Sequence, residues 1–297
     1  MSRRVIWRSE LKLTVSASLP AWVNVLPDED YQHSFGLKAG SAEKFFARTD
    51  RHDELLAQRR HWLRNNPEHC AALLPGAEPL LEETIALGRQ WNSLPTRFVF
   101  PDGNAFARCL ALGEAWEPDY VLLKQDAATG RFHLVGGCVC FPSSWRFEEK
   151  VGQPLEVIHT PVPHLNEQLA SPIHNFLSRL KPGVAWCRAN WGLSRSPELN
   201  QHPARGLPKL TPPLREDEVW LRVEDQALVA LPESRGVLFG IRMTVIPLAE
   251  VKRHPAAVRG LARALRTMPD AMLEYKSLLA AKENLLTLLE HDLAVSF

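Results

Sequence analysis

Apolar residues recur at helical spacing in three stretches of the first third of the chain. Ser41 can cap a short helix carrying Phe45 and Phe46. Thr49 or Asp50 can cap a second, which presents Leu55, Leu56, Trp62 and Leu63 on one face and ends at Pro67. A third stretch, 79–94, aligns Leu80, Leu81, Ile85, Leu87 and Trp91, and Pro95 stops it. From about Arg97 the pattern changes to short extended runs bounded by turn residues. Residues 98–100 lead into the turn Pro101-Asp102-Gly103, and 120–123 and 132–135 flank a turn-rich 126–130, which predicts a hairpin. Runs at 138–141, 185–191, 219–223 and 237–245 continue the extended set, the last two joined as a second hairpin across 231–236.

Helical spacing returns in between and at the end. Ser171-Pro172 reads as an N-cap with proline in the first helical position, followed by Ile173, Phe176, Leu177 and Leu180 on one face. His254-Pro255 opens a helix with Val258, Leu261, Ala262 and Leu265. Pro269-Asp270 opens another with Met272, Tyr275, Leu279, Leu286 and Leu289. The sum predicts an α+β protein: a helical region over 1–95, an antiparallel sheet over 96–250 and a helical pair over 251–297, packed as one compact unit. Residues 192–216 hold five prolines and no period. Such a stretch is a lid or partner-binding loop, or a plain surface excursion.

Composition narrows the function classes. Lysine plus arginine (35) balances aspartate plus glutamate (34) over 297 residues, so no concentrated basic surface points to nucleic acid or anionic membrane. No apolar run approaches the roughly 20 residues of a membrane span, and the opening MSRRVIWRSELKLTV lacks the apolar centre of a secretion signal. Five cysteines form an odd set without zinc spacing. Cys138 and Cys140 would point to one side of a strand as small buried groups, so reduced thiols and a cytoplasmic location are expected. Nine tryptophans predict a large aromatic core or a flat ligand.

The densest segment for chemistry runs from Cys140-Phe-Pro-Ser-Ser-Trp145 through Glu149-Lys150-Val-Gly152 to His159-Thr-Pro-Val-Pro163. Thr160 and Val162 precede prolines and are restrained to extended geometry, so His159 sits on a stiff backbone. That suits a metal ligand and equally a hydrogen-bonded structural histidine. No partner at zinc spacing accompanies it, whereas haem needs only one axial histidine. Charge also sits inside predicted strands: Arg188 between Trp186 and Asn190, Arg222 with Glu224, and Arg242 opposite Ile241 and Met243. Buried, these arginines need anions, whether propionates, substrate carboxylates or one another's glutamates; exposed, they form an ion-paired face. Arg259, Arg263 and Arg266 make a basic stripe, either a solvated face or a surface for an acidic redox partner. No phosphate loop, GxSxG elbow or HExxH motif is present.

Taken in order, CxCFPSSW, EKVGQPLEVIHTPVPHLNEQL, CRANWGL, WLRVEDQALVALPESRGVLFGIRMTVIPL and the early GLKAGSAEKFFARTDRHDELLAQR resemble the haem-binding α subunit of the oxidative N-demethylase family. The resemblance implies a PAS-like antiparallel sheet holding haem b. It implies O2-dependent demethylation of a small secondary amine such as dimethylamine, releasing formaldehyde. Electrons would come from NADPH through FMN and 2Fe-2S centres on flavin/ferredoxin-type reductase subunits. A haem sensor or haem-handling protein without turnover is the other reading. Carried over by motif, His159 becomes the iron ligand, with His164, Trp145, Lys150, Arg188 and Arg242 around the cofactor. Arg222 and Glu224 become the catalytic pair, the arginine polarising dioxygen and the carboxylate anchoring an ammonium. The chain departs from the pattern at His164, where the family is expected to carry glycine, and at Asp225, where it is expected to carry arginine.

Overall fold

The computed structural model describes residues 19–32, 36–95 and 97–290. In chain order the regular elements are β1 (Lys38–Gly40), α1 (Ala42–Phe46), α2 (His52–Asn65), α3 (Pro67–Cys70), β2 (Ala71–Leu73), α4 (Glu78–Gln90) and α5 (Ala105–Ala115). Next come β3 (Asp119–Gln125), β4 (Phe132–Cys138), α6 (Leu155–Ile158), α7 (Leu165–Leu177), β5 (Ala185–Ser194), β6 (Trp220–Leu231) and β7 (Gly236–Pro247). Helices α8 (Leu248–Lys252), α9 (Pro255–Thr267), α10 (Asp270–Tyr275) and α11 (Lys282–Glu290) close the described chain. The strands form one antiparallel seven-stranded sheet in the order β1-β5-β6-β7-β3-β4-β2. This is the α+β class that the pattern predicts, with both hairpins, β3–β4 and β6–β7, in place.

Directly opposed residues of an antiparallel ladder share a face. One face carries Tyr120, Leu122, Val229, Leu231 and Leu238, packed against α1, α2, α4 and α5. Farther along it, Leu193, Leu221, Val223 and Ile246 pack against α8–α11. The opposite face carries Val121, Leu123 and Val237, which join Phe132, Leu134, Phe147 and Leu177 under α7. Among the described residues no helix is long and apolar enough to cross a membrane.

Several expected elements are corrected. Residues 98–100 are not a strand, and Val99 is 85% exposed. Residues 101–104 form a turn into α5, whose second amide, Phe106 N, donates to the N-cap Asn104 Oδ1 at 2.9 Å. Helix α4 stops before Leu94 because Asn92 takes a left-handed φ of 54°. Ser93 N then returns to Gly88 O at 3.0 Å and Asn92 N to Arg89 O at 3.0 Å, a Schellman ending that needs no proline. Thr49 does not cap α2; its hydroxyl donates to Glu117 Oε2 at 3.0 Å. Pro172 lies inside α7, and the long final helix is broken at Ser277, φ 57°. The break is a second Schellman ending, with Leu278 N on Leu273 O at 2.7 Å and Ser277 N on Glu274 O at 2.9 Å. Residues 195–219 form neither a lid nor a loose excursion. Leu199, Asn200, His202, Leu210 and Leu214 are buried, and the Arg222 guanidinium holds Glu198 O at 2.7 Å and Leu199 O at 2.9 Å.

Candidate functional site

Helix α6 is a single turn opened by Pro154 and closed by His159, whose φ of −86° and ψ of −7° are helical rather than extended. His159 N donates to Leu155 O at 2.9 Å, and Val162 N to His159 O at 2.9 Å, so the prolines stiffen a chain of tight turns. Val162 anchors this turn in the C-terminal core, while Ile158, Ile173 and Phe176 lie over the sheet. The His159 imidazole is part-buried, and neither ring nitrogen makes a hydrogen bond among the described residues. Burial, and then the nearby Arg188, push its pKa below the ordinary histidine value, with Glu156 opposing and Lys150 assisting. This environment favours the neutral ring, the form that binds a metal.

Sheet register decides what faces it. Arg188 lies opposite Gln226, Asn190 opposite Glu224 and Gly192 opposite Arg222, so Arg188, Asn190, Glu224 and Arg222 share one face. Arg188 makes no hydrogen bond or close ion pair among the described residues; burial lowers its pKa, against the pull of Glu224 and Tyr31. Glu224 accepts from Gln226 Nε2 at 3.1 Å and has no basic group within ion-pair distance among the described residues. Trp186, on the same face, meets Phe176 of α7 edge-on at 5.5 Å.

The break at Ser277 brings in Lys276, which motif reading missed because its own segment reads as continuous helix. Lys276 Nζ donates to Trp191 O at 2.6 Å and Asn190 Oδ1 at 3.3 Å, and lies 5.3 Å from the Trp191 ring centroid. Burial pushes its pKa down to about 8, against the attraction of Glu224. Competitive acetylation is therefore expected to titrate Lys276 near pH 8; a midpoint near the ordinary ~10.4 would contradict this environment. Because the unfolded chain binds this proton more tightly, the group's contribution to stability improves as pH rises from about 8 towards ~10.4.

The other predicted residues scatter. Trp145 lies beside Phe147, centroids 6.4 Å apart, and Lys150 N closes a turn on Phe147 O at 2.9 Å. Arg222 is 3% exposed, and its donors go to Glu198 O, Leu199 O and Ser143 Oγ. Arg242 lies opposite Asp225, which puts it on the other face of the sheet. There it holds Phe45 O at 2.5 Å, Glu117 at 2.7 Å and Ala47 O. His164 is exposed, pairs with Glu167 at 3.0 Å and has φ 58°, a backbone that glycine adopts without strain. In the basic stripe, Arg259 and Arg263 pair with Asp28 and Asp30, and Arg266 with Glu290.

A second constellation joins residues far apart in sequence. His69 Nδ1 lies 2.9 Å and His202 Nε2 3.1 Å from Glu148 Oε1. Ala204 N donates to His202 Nδ1 at 3.2 Å, so the neutral ring carries its proton on Nε2 and donates it to Glu148. A metal at Nε2 would force the proton onto Nδ1, against the Ala204 amide. The trio is a tether between α3 and two loops. A family model for haem-dependent oxidative N-demethylase, alpha subunit-like, matches residues 97–286, more than half of the chain, including His159, Arg188, Glu224 and Lys276.

Proposed function

The chain belongs to the haem-dependent oxidative N-demethylase, alpha subunit-like, family, and from that premise we propose that it removes a methyl group from a small secondary amine, dimethylamine-like, with His159 as the ligand to haem b iron. The observation that carries this reading is the part-buried His159 imidazole at the end of α6, with neither ring nitrogen bonded among the described residues, beside a sheet face bearing Arg188 and Glu224. His164 points to solvent and pairs with Glu167 instead.

The residues present fit a flat, apolar, dianionic macrocycle. Helix α7 is 13 residues long and has one fully buried residue, Leu177, whereas α9, of the same length, has seven. Of its other apolar side chains, Ile173 and Phe176 are only partly covered where they approach the sheet. Haem held in a PAS-like cradle on the β5–β6 face beside this helix would cover them. Arg188, with Lys150 near His159, would neutralise the carboxylates, since buried arginines favour planar anions.

When bound, the haem supplies oxygen activation. Overall, dioxygen, two electrons and two protons convert the N-methyl amine into the demethylated amine, formaldehyde and water. Glu224 would anchor the ammonium, and Lys276 and Asn190 would bound the same space. An alpha subunit implies further subunits. Electrons would arrive from NADPH through FMN and 2Fe-2S centres there, because this chain carries no matching cysteine set.

Haemin titration is expected to give a histidine-ligated Soret spectrum that His159→Ala abolishes and His164→Ala leaves unchanged; the reverse pattern would reassign the ligand. With a reductase system and dimethylamine, formaldehyde release is expected, and Glu224→Gln should raise KM about tenfold or more, the worth of one charged hydrogen bond. Ligated haem without formaldehyde would instead assign a sensing or haem-handling role.

A further inference from the structure

Glu156 lies one turn before His159 on α6, on the same side of that turn. Its backbone carbonyl accepts from Thr160 Oγ1 at 3.0 Å and Asn166 Nδ2 at 2.7 Å, which fixes the turn against the start of α7. Its carboxylate is different. Glu156 Oε2 is buried and has no hydrogen-bond partner among the described residues. A carboxylate oxygen left dry and unpartnered is unfavourable, so a donor has to reach it.

A small cavity of about 10 Å³ is lined by Glu156, His159, Asn166 and His174 together with apolar side chains such as Phe132 and Leu177. This is about the space one water needs, and buried waters occupy such sites when polar groups surround them. One of the two Asn166 Nδ2 hydrogens is committed to the Glu156 carbonyl, and the other can serve a water in this cavity. The His174 ring makes only an edge contact with Phe132 at 6.0 Å. His159 lines the same cavity, with neither ring nitrogen bonded among the described residues.

We propose that Glu156 is the positioning residue of the axial histidine: its carboxylate accepts, through one water in this cavity, from a ring N–H of His159, leaving the other ring nitrogen for iron. The proposal rests on His159 being the ligand. A carboxylate behind a ligating imidazole fixes its tautomer and orientation and makes it a stronger donor, and water-mediated bonds transmit this nearly as well as direct ones. A more basic ligand favours ferric over ferrous iron.

The test compares haem-loaded wild type, Glu156→Gln and His174→Phe. Glutamine keeps the shape and removes the charge. Glu156→Gln is expected to raise the ferric/ferrous midpoint potential, lower the iron–histidine stretching frequency of the ferrous protein and weaken haem binding about tenfold. His174→Phe should change none of these. No change in Glu156→Gln, or the same change in His174→Phe, overturns the proposal. A haem-free crystal structure supplies the independent arm. A water within hydrogen-bonding distance of both Glu156 Oε2 and a His159 ring nitrogen is expected whether or not haem binds, and a dry cavity overturns the bridge. Failure of the wild type to show histidine ligation would instead refute the assignment of His159 as ligand, and the crystal arm would still decide the bridge.

Discussion

Arg59→Met is expected to destabilise the protein by about 3–5 kcal/mol, the cost of leaving one half of a buried ion pair behind. Arg59 is 0% exposed and reaches from α2 to Asp119 at 2.5 Å, Gly113 O at 2.6 Å and Cys138 Sγ at 3.2 Å. Asp119 in turn accepts from Cys140 N at 2.7 Å and Phe141 N at 2.9 Å. The pair therefore ties α2 and α5 to the first residue of β3 and to the chain leaving β4. Methionine fills most of the space but leaves the Asp119 charge with two amides and no counterion. The expected result is a lower denaturant midpoint at unchanged slope. Adding Asp119→Asn should recover part of the loss; equal losses in the single and double variants would mean that the charge pair is not the cause.

Arg222→Met separates a structural role from a chemical one. The guanidinium spends its donors on Glu198 O, Leu199 O and Ser143 Oγ. Burial lowers its pKa to about 10, so it stays charged at neutral pH. Its loss orphans two carbonyls, at about 1–3 kcal/mol each. We expect a destabilisation of about 3 kcal/mol and new proteolytic cleavage within residues 195–215, with the haem spectrum unchanged. A stable, protease-resistant variant with an altered spectrum would place Arg222 at the cofactor instead.

These cases show where sequence reading reaches and where it stops. The β3–β4 and β6–β7 hairpins were legible because alternation and turn residues are local. So were the Ser41 and His254 helix starts. Helix α5 was hidden by Pro101-Asp102-Gly103, which reads as a turn after an extended run, although Asn104 is a good cap. Strands β1 and β2 are three residues each, too short to show a period. Arg59 could be read only as a polar residue among Leu55, Leu56 and Leu63 on α2, because its partner lies 60 residues away.

His159 and its motif were determined by the sequence alone, as was the alternation that sets charged residues into strands. Tertiary structure decided what those residues meet. Pairing register put Arg188 and Glu224 on one face and Arg242 on the other, because a side chain's face follows from its strand partner as well as from its own parity. A left-handed residue at Ser277 broke a helix that periodicity would continue and so delivered Lys276 to Asn190 and Trp191. Burial then favoured the neutral His159 imidazole and left the Glu156 oxygen without a partner among the described residues, and both conditions arise only from long-range packing.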